Sequence, residues 1–274
     1  GAIVVAKTNM PELAIGVLAK CALHGRCLNP QNVKYNCGGS SSGTAAAIAA
    51  GIVSCGLGSD TAGSLRIPSG LCGIAGLRPS TKRADAASRW PCEGCVPISS
   101  MRDTPGPQGA SVADVALLDS VVTGSPLAVR AELAGVKIGV PQDWIDRADG
   151  TNGFTKQPLG GLSESVKASL EAAKAALTKA GAEVAVVGGM VDVIETNKDT
   201  WPMPLLPVPF EDSYADLAGW LETHAERPEG MRTVETLCEN ISESVRKGCT
   251  DMLMASRQVD EEARKAKLAA TKPA

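Results

Sequence analysis

An α/β fold is predicted for this 274-residue chain by three observations. An alanine-rich helical segment links two Gly/Ser turns. Strand, helix and strand patterns follow one another between Val136 and Val187. A hydrophobic content of 44% supplies enough apolar surface for a substantial core, in one large domain or two modest ones.

The elements can be justified in chain order. Asn9 can cap a helix over 10–18, with Pro11 in its first turn. Residues 44–50, Thr-Ala-Ala-Ala-Ile-Ala-Ala, predict a helix because alanine is the best helix former, and Ser42 or Thr44 can cap its start. The glycine-rich but apolar stretch 52–58 reads as a close-packed buried strand or turn. Ser111 and Asp114 form a capping-box variant that opens a helix over 112–122, ended by Gly124. Residues 136–140 form a short apolar strand, and the polar, Gly-rich stretch 142–161 a surface loop. Val166, Leu170, Ala173 and Leu177 recur at helical spacing up to Gly181, and 182–187 is the next strand, which implies a right-handed parallel crossover. Residues 188–209 are Pro-rich, and 210–225 and 234–268 read as charged amphipathic helices.

The chemistry concentrates in Gly38-Gly39-Ser40-Ser41-Ser42-Gly43 and in the run from Gly58 to Pro68, Gly-Ser-Asp-Thr-Ala-Gly-Ser-Leu-Arg-Ile-Pro. Gly/Ser-rich stretches are commonly flexible linkers. Here helix, strand and turn fix Ser40 and Ser64 on a scaffold. A hydroxyl beside backbone N–H groups that carry little side-chain bulk is what acyl transfer needs: a nucleophile and donors for a developing oxyanion.

These two motifs, 24 residues apart from Ser40 to Ser64 and the second continuing through Ser-Gly-Leu-Cys-Gly-Ile-Ala-Gly-Leu-Arg-Pro-Ser to residue 80, resemble the signature of the amidase signature hydrolases. Similar residues flank them at 2–10 and 102–107 and recur at 135–141 and 180–184, and the chain is most like the bacterial-type amide and mandelamide hydrolase members. The resemblance is strong to about residue 187 and weaker beyond. It implies an α/β/α sandwich with a central mixed sheet, incomplete here, in a single partial amidase domain: a signature core over 1–187 and a Pro-rich, helical substrate-side region over 188–274. It further implies hydrolysis of a carboxamide carbon–nitrogen bond in a linear amide by a Ser-Ser-Lys triad. Ser64 would be the nucleophile, and Ser40, held by a non-proline cis peptide, would relay the proton. The N–H groups of Thr61, Ala62, Gly63 and Ser64 would form the oxyanion hole. Ser41, Asp60 and Arg66 would support the turn, Asp60 and Arg66 through buried hydrogen bonds and a charge pair. Trp201, Met203 and Leu205 become candidates for substrate contact, against simple packing of a loop onto the core.

Two departures from the family pattern stand out. Ala62 replaces the commoner glycine, which is tolerable where φ is negative. The family's lysine base is not found in the chain, so the resemblance puts it upstream of Gly1, with both ends of the domain expected to lie outside the sequence. Lys7 matches a different family position, at the end of an apolar strand over 3–6, and Lys34 reads as a solvated surface lysine. The missing lysine keeps a second reading open: a catalytically inactive amidase-like subunit serving as a structural or docking module.

Composition bounds the partners. Aromatic residues make up 3% and the net charge is −3, so neither base stacking nor a basic footprint supports nucleic-acid binding. No apolar run is long enough to span a bilayer. Nine scattered cysteines argue against a disulfide framework and for a reducing intracellular compartment, the cytoplasm or an organelle stroma or matrix. Cys92 and Cys95 form a lone C-x-x-C, and Cys21, His24 and Cys27 have ligand-like spacing, but nothing in the sequence brings four ligands together, so no metal and no cofactor is expected. Cys72 is read as packing. The only histidines, His24 and His224, lie in no nucleophile-elbow pattern, which favours a lysine-based mechanism. The expected partner is a small-molecule amide substrate; the sequence leaves open a homodimer or a place in a larger complex.

Overall fold

A computed structural model of the chain describes residues 2–81, 87–125, 132–146, 160–188, 212–224 and 232–240, together with 250, 251, 253, 254, 256 and 257. It divides into two compact units, one of residues 1–127 and 205–274 and one of residues 128–204.

The first unit is built around a three-stranded antiparallel sheet. Strand β3 (Cys55–Asp60) and strand β4 (Ala75–Gly76) both pair with the central strand β5 (Thr104–Gly109), in the order β3-β5-β4. Helix α1 (Ser42–Ala49) leads into β3, and helix α2 (Arg66–Cys72) follows it. Ala45 of α1 and Cys72 of α2 are fully buried in one cluster with Ala19 and Cys37. The two helices approach closely because their contact residues are small. Along β3, side chains alternate between faces: a Cβ on Gly56 would lie 2.7 Å from Thr44 Cγ2 and one on Gly58 2.8 Å from Ser41 Oγ, so glycine alone fits under α1. Leu57 points the other way and is 57% exposed, and Ile52 is 69% exposed. The stretch 52–58, expected to be a close-packed buried strand or turn, is a bend up to residue 54 and then the start of an edge strand with one covered face.

Hydroxyls expected to cap α1 are used elsewhere. Ser42 Oγ donates to the Asn9 carbonyl and Thr44 Oγ1 to the Leu57 carbonyl at 2.9 Å; the N-cap is Ser41, which gives no side-chain cap because its Oγ bonds the Ser59 backbone. The helix expected over 10–18 is also corrected. Only a 3-10 turn forms over Glu12–Ala14, with Leu13 and Ala14 at positive φ. The Asn9 carbonyl instead accepts from Gly43 N at 2.8 Å and Ser42 Oγ at 3.2 Å, tying this segment to the signature turn. No strand forms over 3–6 among the described residues, and Ile3 is 89% exposed.

Helix α3 (Val112–Thr123) has the predicted start and stop. Ser111 and Asp114 make a reciprocal capping box, and Gly124 ends the helix at φ 67°. Asp119, fully buried on this helix, takes a bidentate contact from Arg89 and a 2.8 Å hydrogen bond from the Trp90 indole. A hairpin of β1 (Lys20–Cys21) and β2 (Gly25–Arg26) lies before the signature.

In the second unit, β6 (Lys137–Pro141) and β7 (Glu183–Val187) pair in parallel, and helix α4 (Gln142–Asp146) and helix α5 (Glu164–Lys179) lie between them in the chain. Helix α4 occupies the start of the stretch expected to be a loop. Helix α6 (Ser213–Thr223) and helix α7 (Val234–Asn240) belong to the first unit, where Leu217, Leu221, Val234, Cys238 and Leu253 form a buried cluster. Trp201, Met203 and Leu205 lie outside the described residues.

Among the described residues no helix is long and apolar enough to cross a membrane, and no group of three or more His, Cys, Asp or Glu side chains is arranged to hold a metal ion. Cys27 packs on the Cys37 and Cys72 cluster, while His24 is exposed in the turn of the hairpin.

Candidate active site

The site is assembled where the turn before α1 meets the turn between β3 and α2. Ser41 clamps the two together. Its N–H donates to the Ser64 carbonyl at 3.0 Å, while its hydroxyl donates to the Ser59 carbonyl at 3.2 Å and accepts from Ser59 N at 3.0 Å. The Gly39–Ser40 peptide bond is cis. Ser40 is fully buried and its hydroxyl has no hydrogen-bond partner among the described residues. Ser64 is partly exposed, and its hydroxyl does not bond that of Ser40.

Asp60 organises the second turn from the end of β3. Its carboxylate, completely buried, accepts from Gly63 N at 2.8 Å and from Leu65 N at 3.3 Å. It also takes Arg66 Nε at 3.0 Å and Nη2 at 3.2 Å, and Arg78 Nη1 at 2.7 Å. Burial pushes this carboxyl up, but the Arg66 hydrogen bond, the Gly63 N–H and the two guanidinium charges outweigh it and hold it below the usual carboxylate range. Gly63 sits at φ 120°, where L side chains are strained, and a Cβ there would also lie 2.9 Å from Ile67 Cδ1.

This arrangement changes the donor set. The Gly63 N–H, expected to face an oxyanion, is taken by Asp60 because the turn folds back over the carboxylate. The N–H groups of Thr61, Ala62 and Ser64 have no hydrogen-bond partner among the described residues. Ala62 lies outside the positive-φ region, so its methyl group fits the backbone there. Lys7 and Lys34 are both exposed, and neither bonds Ser40.

Two residues in the turn's support are not singled out by the sequence. Arg78 bridges Asp60 and the Arg102 carbonyl, the latter at 2.7 Å. Asp103 accepts from the Thr61 hydroxyl and from Ile98 N and Ser99 N at 2.7 and 2.9 Å. For Asp103 the available signal is the flanking Arg-Asp-Thr-Pro-Gly-Pro stretch, which carries no hint of the turn it reaches.

A hydroxyl beside a row of unpaired N–H groups can bear a negative tetrahedral oxygen, which is the demand of acyl transfer. The family model described as Amidase matches residues 1–188. The chain is 39% identical over 146 residues to the indoleacetamide hydrolase of Rhizobium radiobacter, covering 53% of this chain and 30% of that one. It is 39% identical over 170 residues to the mandelamide hydrolase of Pseudomonas putida, covering 60% and 32% respectively. A crystal structure of an amidase superposes with a TM-score of 0.71 at 26% identity, over 98% of this chain and 52% of that one. The matched region thus spans about a third of the length of these curated relatives. With its signature turns, its α/β architecture and a family match that runs through both, the chain belongs to the amidase family.

Proposed function

We propose that the protein hydrolyses the carbon–nitrogen bond of a linear carboxamide. The Ser64 hydroxyl attacks the carbonyl carbon, and its proton passes through Ser40 to the neutral amine of a lysine contributed from upstream of Gly1. The oxyanion is held by the N–H groups of Thr61, Ala62 and Ser64. Collapse of the tetrahedral intermediate expels ammonia or an amine, which takes a proton back along the same relay. Water then attacks the acyl-Ser64 ester, releasing the acid and restoring the hydroxyl. Ser41, Asp60 and Arg66 hold the turn and take no part in the chemistry.

The observation that carries this reading is the row of three unpaired N–H groups at the Ser64 turn. Buried Ser40, with its hydroxyl unpartnered among the described residues, adds support: buried hydroxyls are almost always bonded, and a relay needs one that can exchange partners.

Labelling of the longest natural chain with a fluorophosphonate tests the proposal. Wild type is expected to label and Ser64→Ala to label not at all, while Ser40→Ala should slow labelling by roughly a hundredfold or more, as loss of a triad member does in serine hydrolases. Absence of Ser64-dependent labelling overturns the enzyme reading in favour of a non-catalytic docking module.

A further inference from the structure

We propose that Asp103 is a positioning residue for this reaction: through its hydrogen bond from the Thr61 hydroxyl it fixes the direction of the free N–H groups of Thr61 and Ala62. The inference rests on the amide-hydrolysis reading above and adds to it a residue outside the signature turns.

The geometry divides the support of the turn between two ties. Asp60, with Arg66 and Arg78, anchors the turn's base and consumes the Gly63 N–H. That clamp leaves the Thr61 end without a backbone bond of its own, since no described carbonyl pairs with Thr61 N. The Thr61 side chain supplies the missing constraint. Threonine is β-branched and its χ1 is stiff, so holding its hydroxyl holds the Cα from which the donor-bearing peptide planes on either side project. Thr61 is buried, and its hydroxyl goes to Asp103 Oδ1.

Asp103 is itself immobilised. Its other oxygen, Oδ2, accepts from Ile98 N at 2.7 Å and Ser99 N at 2.9 Å, so the carboxylate is locked into the loop before β5. Arg78 reaches the neighbouring Arg102 carbonyl at 2.7 Å while its Nη1 sits on Asp60, so the same loop is also tied to the turn's base. Two adjacent residues of one loop thus hold two adjacent residues at the start of the turn, Arg102 holding Asp60 through Arg78 and Asp103 holding Thr61 directly. Burial raises the Asp103 carboxyl, against the hydrogen bonds from Thr61, Ser99 and Ile98 that favour its charge, as expected of a group retained there for what it binds.

Removing a whole oxyanion donor typically slows a serine hydrolase by about a hundredfold to a thousandfold, so misdirecting donors that are still present should slow it by roughly tenfold to a hundredfold. The test is saturable fluorophosphonate labelling of the longest natural chain, which separates the maximal rate kinact from the binding term KI. Thr61→Val and Asp103→Asn are each expected to lower kinact by about tenfold to a hundredfold with KI within about threefold of wild type. Thr61→Ser, which keeps the hydroxyl, should recover most of the rate. The double variant should be no slower than Thr61→Val alone, because one hydrogen bond is lost in either case. A Thr61→Val kinact within about threefold of wild type, or multiplicative effects in the double variant, overturns the inference. Failure of wild type to label would instead overturn the amide-hydrolysis reading. The positioning claim then stands or falls on amide hydrogen exchange at Gly63, whose N–H is bonded to Asp60 within the turn: it should exchange at least about tenfold faster in Asp103→Asn with α3 unchanged, and unaltered exchange at Gly63 refutes it.

Discussion

Asp60 shows how one residue can decide the shape of a turn. Its carboxylate is fully buried, yet it meets two arginines and the N–H groups of Gly63 and Leu65, so nearly all of its lone-pair capacity is used. Removing it strands the partly buried Arg78 guanidinium and frees the Gly63 N–H. Asp60→Ala is therefore expected to cost about 3–5 kcal/mol, read from urea unfolding, the range for breaking a buried ion pair by removing one partner. A loss below about 1 kcal/mol would mean that water replaces the carboxylate. Asp60 and Arg66 are signalled in the sequence by the motif around Ser64. Arg78, near the end of that signature run, and Asp103, in a flanking stretch, have no role assigned by it, since nothing in their spacing says that the loop before β5 returns to the turn.

At the scale of elements, α3 is legible from both ends. Ser111 and Asp114 specify its start by reciprocal hydrogen bonds and Gly124 its end by a left-handed backbone, and these are local effects that tertiary contacts do not override. Ser111→Ala should accordingly lower stability by about 1 kcal/mol without slowing Ser64 labelling, measured by urea unfolding and by fluorophosphonate side by side. The segment around Asn9 behaves in the opposite way. Local capping logic predicts a helix after Asn9, but the Asn9 carbonyl is claimed by Gly43 N and Ser42 Oγ, and a single 3-10 turn results. The start of α1 is similar, because β3 takes the Ser41 and Thr44 hydroxyls and the Asn9 carbonyl that of Ser42. Local rules thus hold where an element's ends bond to themselves and fail where another segment bonds them first.

At the scale of the whole molecule, buried charge sets the response to acid. The Arg89 hydrogen bond, helped by the Trp90 indole against the cost of burial, holds Asp119 below the usual carboxylate range, and Asp60 is held there too. A carboxyl depressed in the folded state adds stability above its unfolded value, about 3.9, and loses it as pH falls through the folded value. Asp103, raised by burial, works in the other direction: its contribution is present below about 3.9 and lost as pH rises through its folded value. The loss from Asp60 and Asp119 therefore sets in only as pH drops below about 4, and it predicts a fall in urea midpoint there. The fall should be smaller in Asp60→Asn, and an equal fall in that variant would remove Asp60 as its cause.

The sequence by itself determined the family, the α/β class, the two serine turns and the ends of α3, because each depends on residue types at short spacing: small residues where backbones crowd, hydroxyls and glycines where turns form. Tertiary structure alone decided which N–H groups of the Ser64 turn are left unpaired among the described residues. Gly63 looks equivalent to its neighbours in the sequence, but its N–H faces the buried Asp60 carboxylate that the turn folds over, while Thr61 is held from a loop some forty positions away. Hydrogen-bond allocation is a property of the folded neighbourhood, since a polar group bonds whichever partner the packing brings to it.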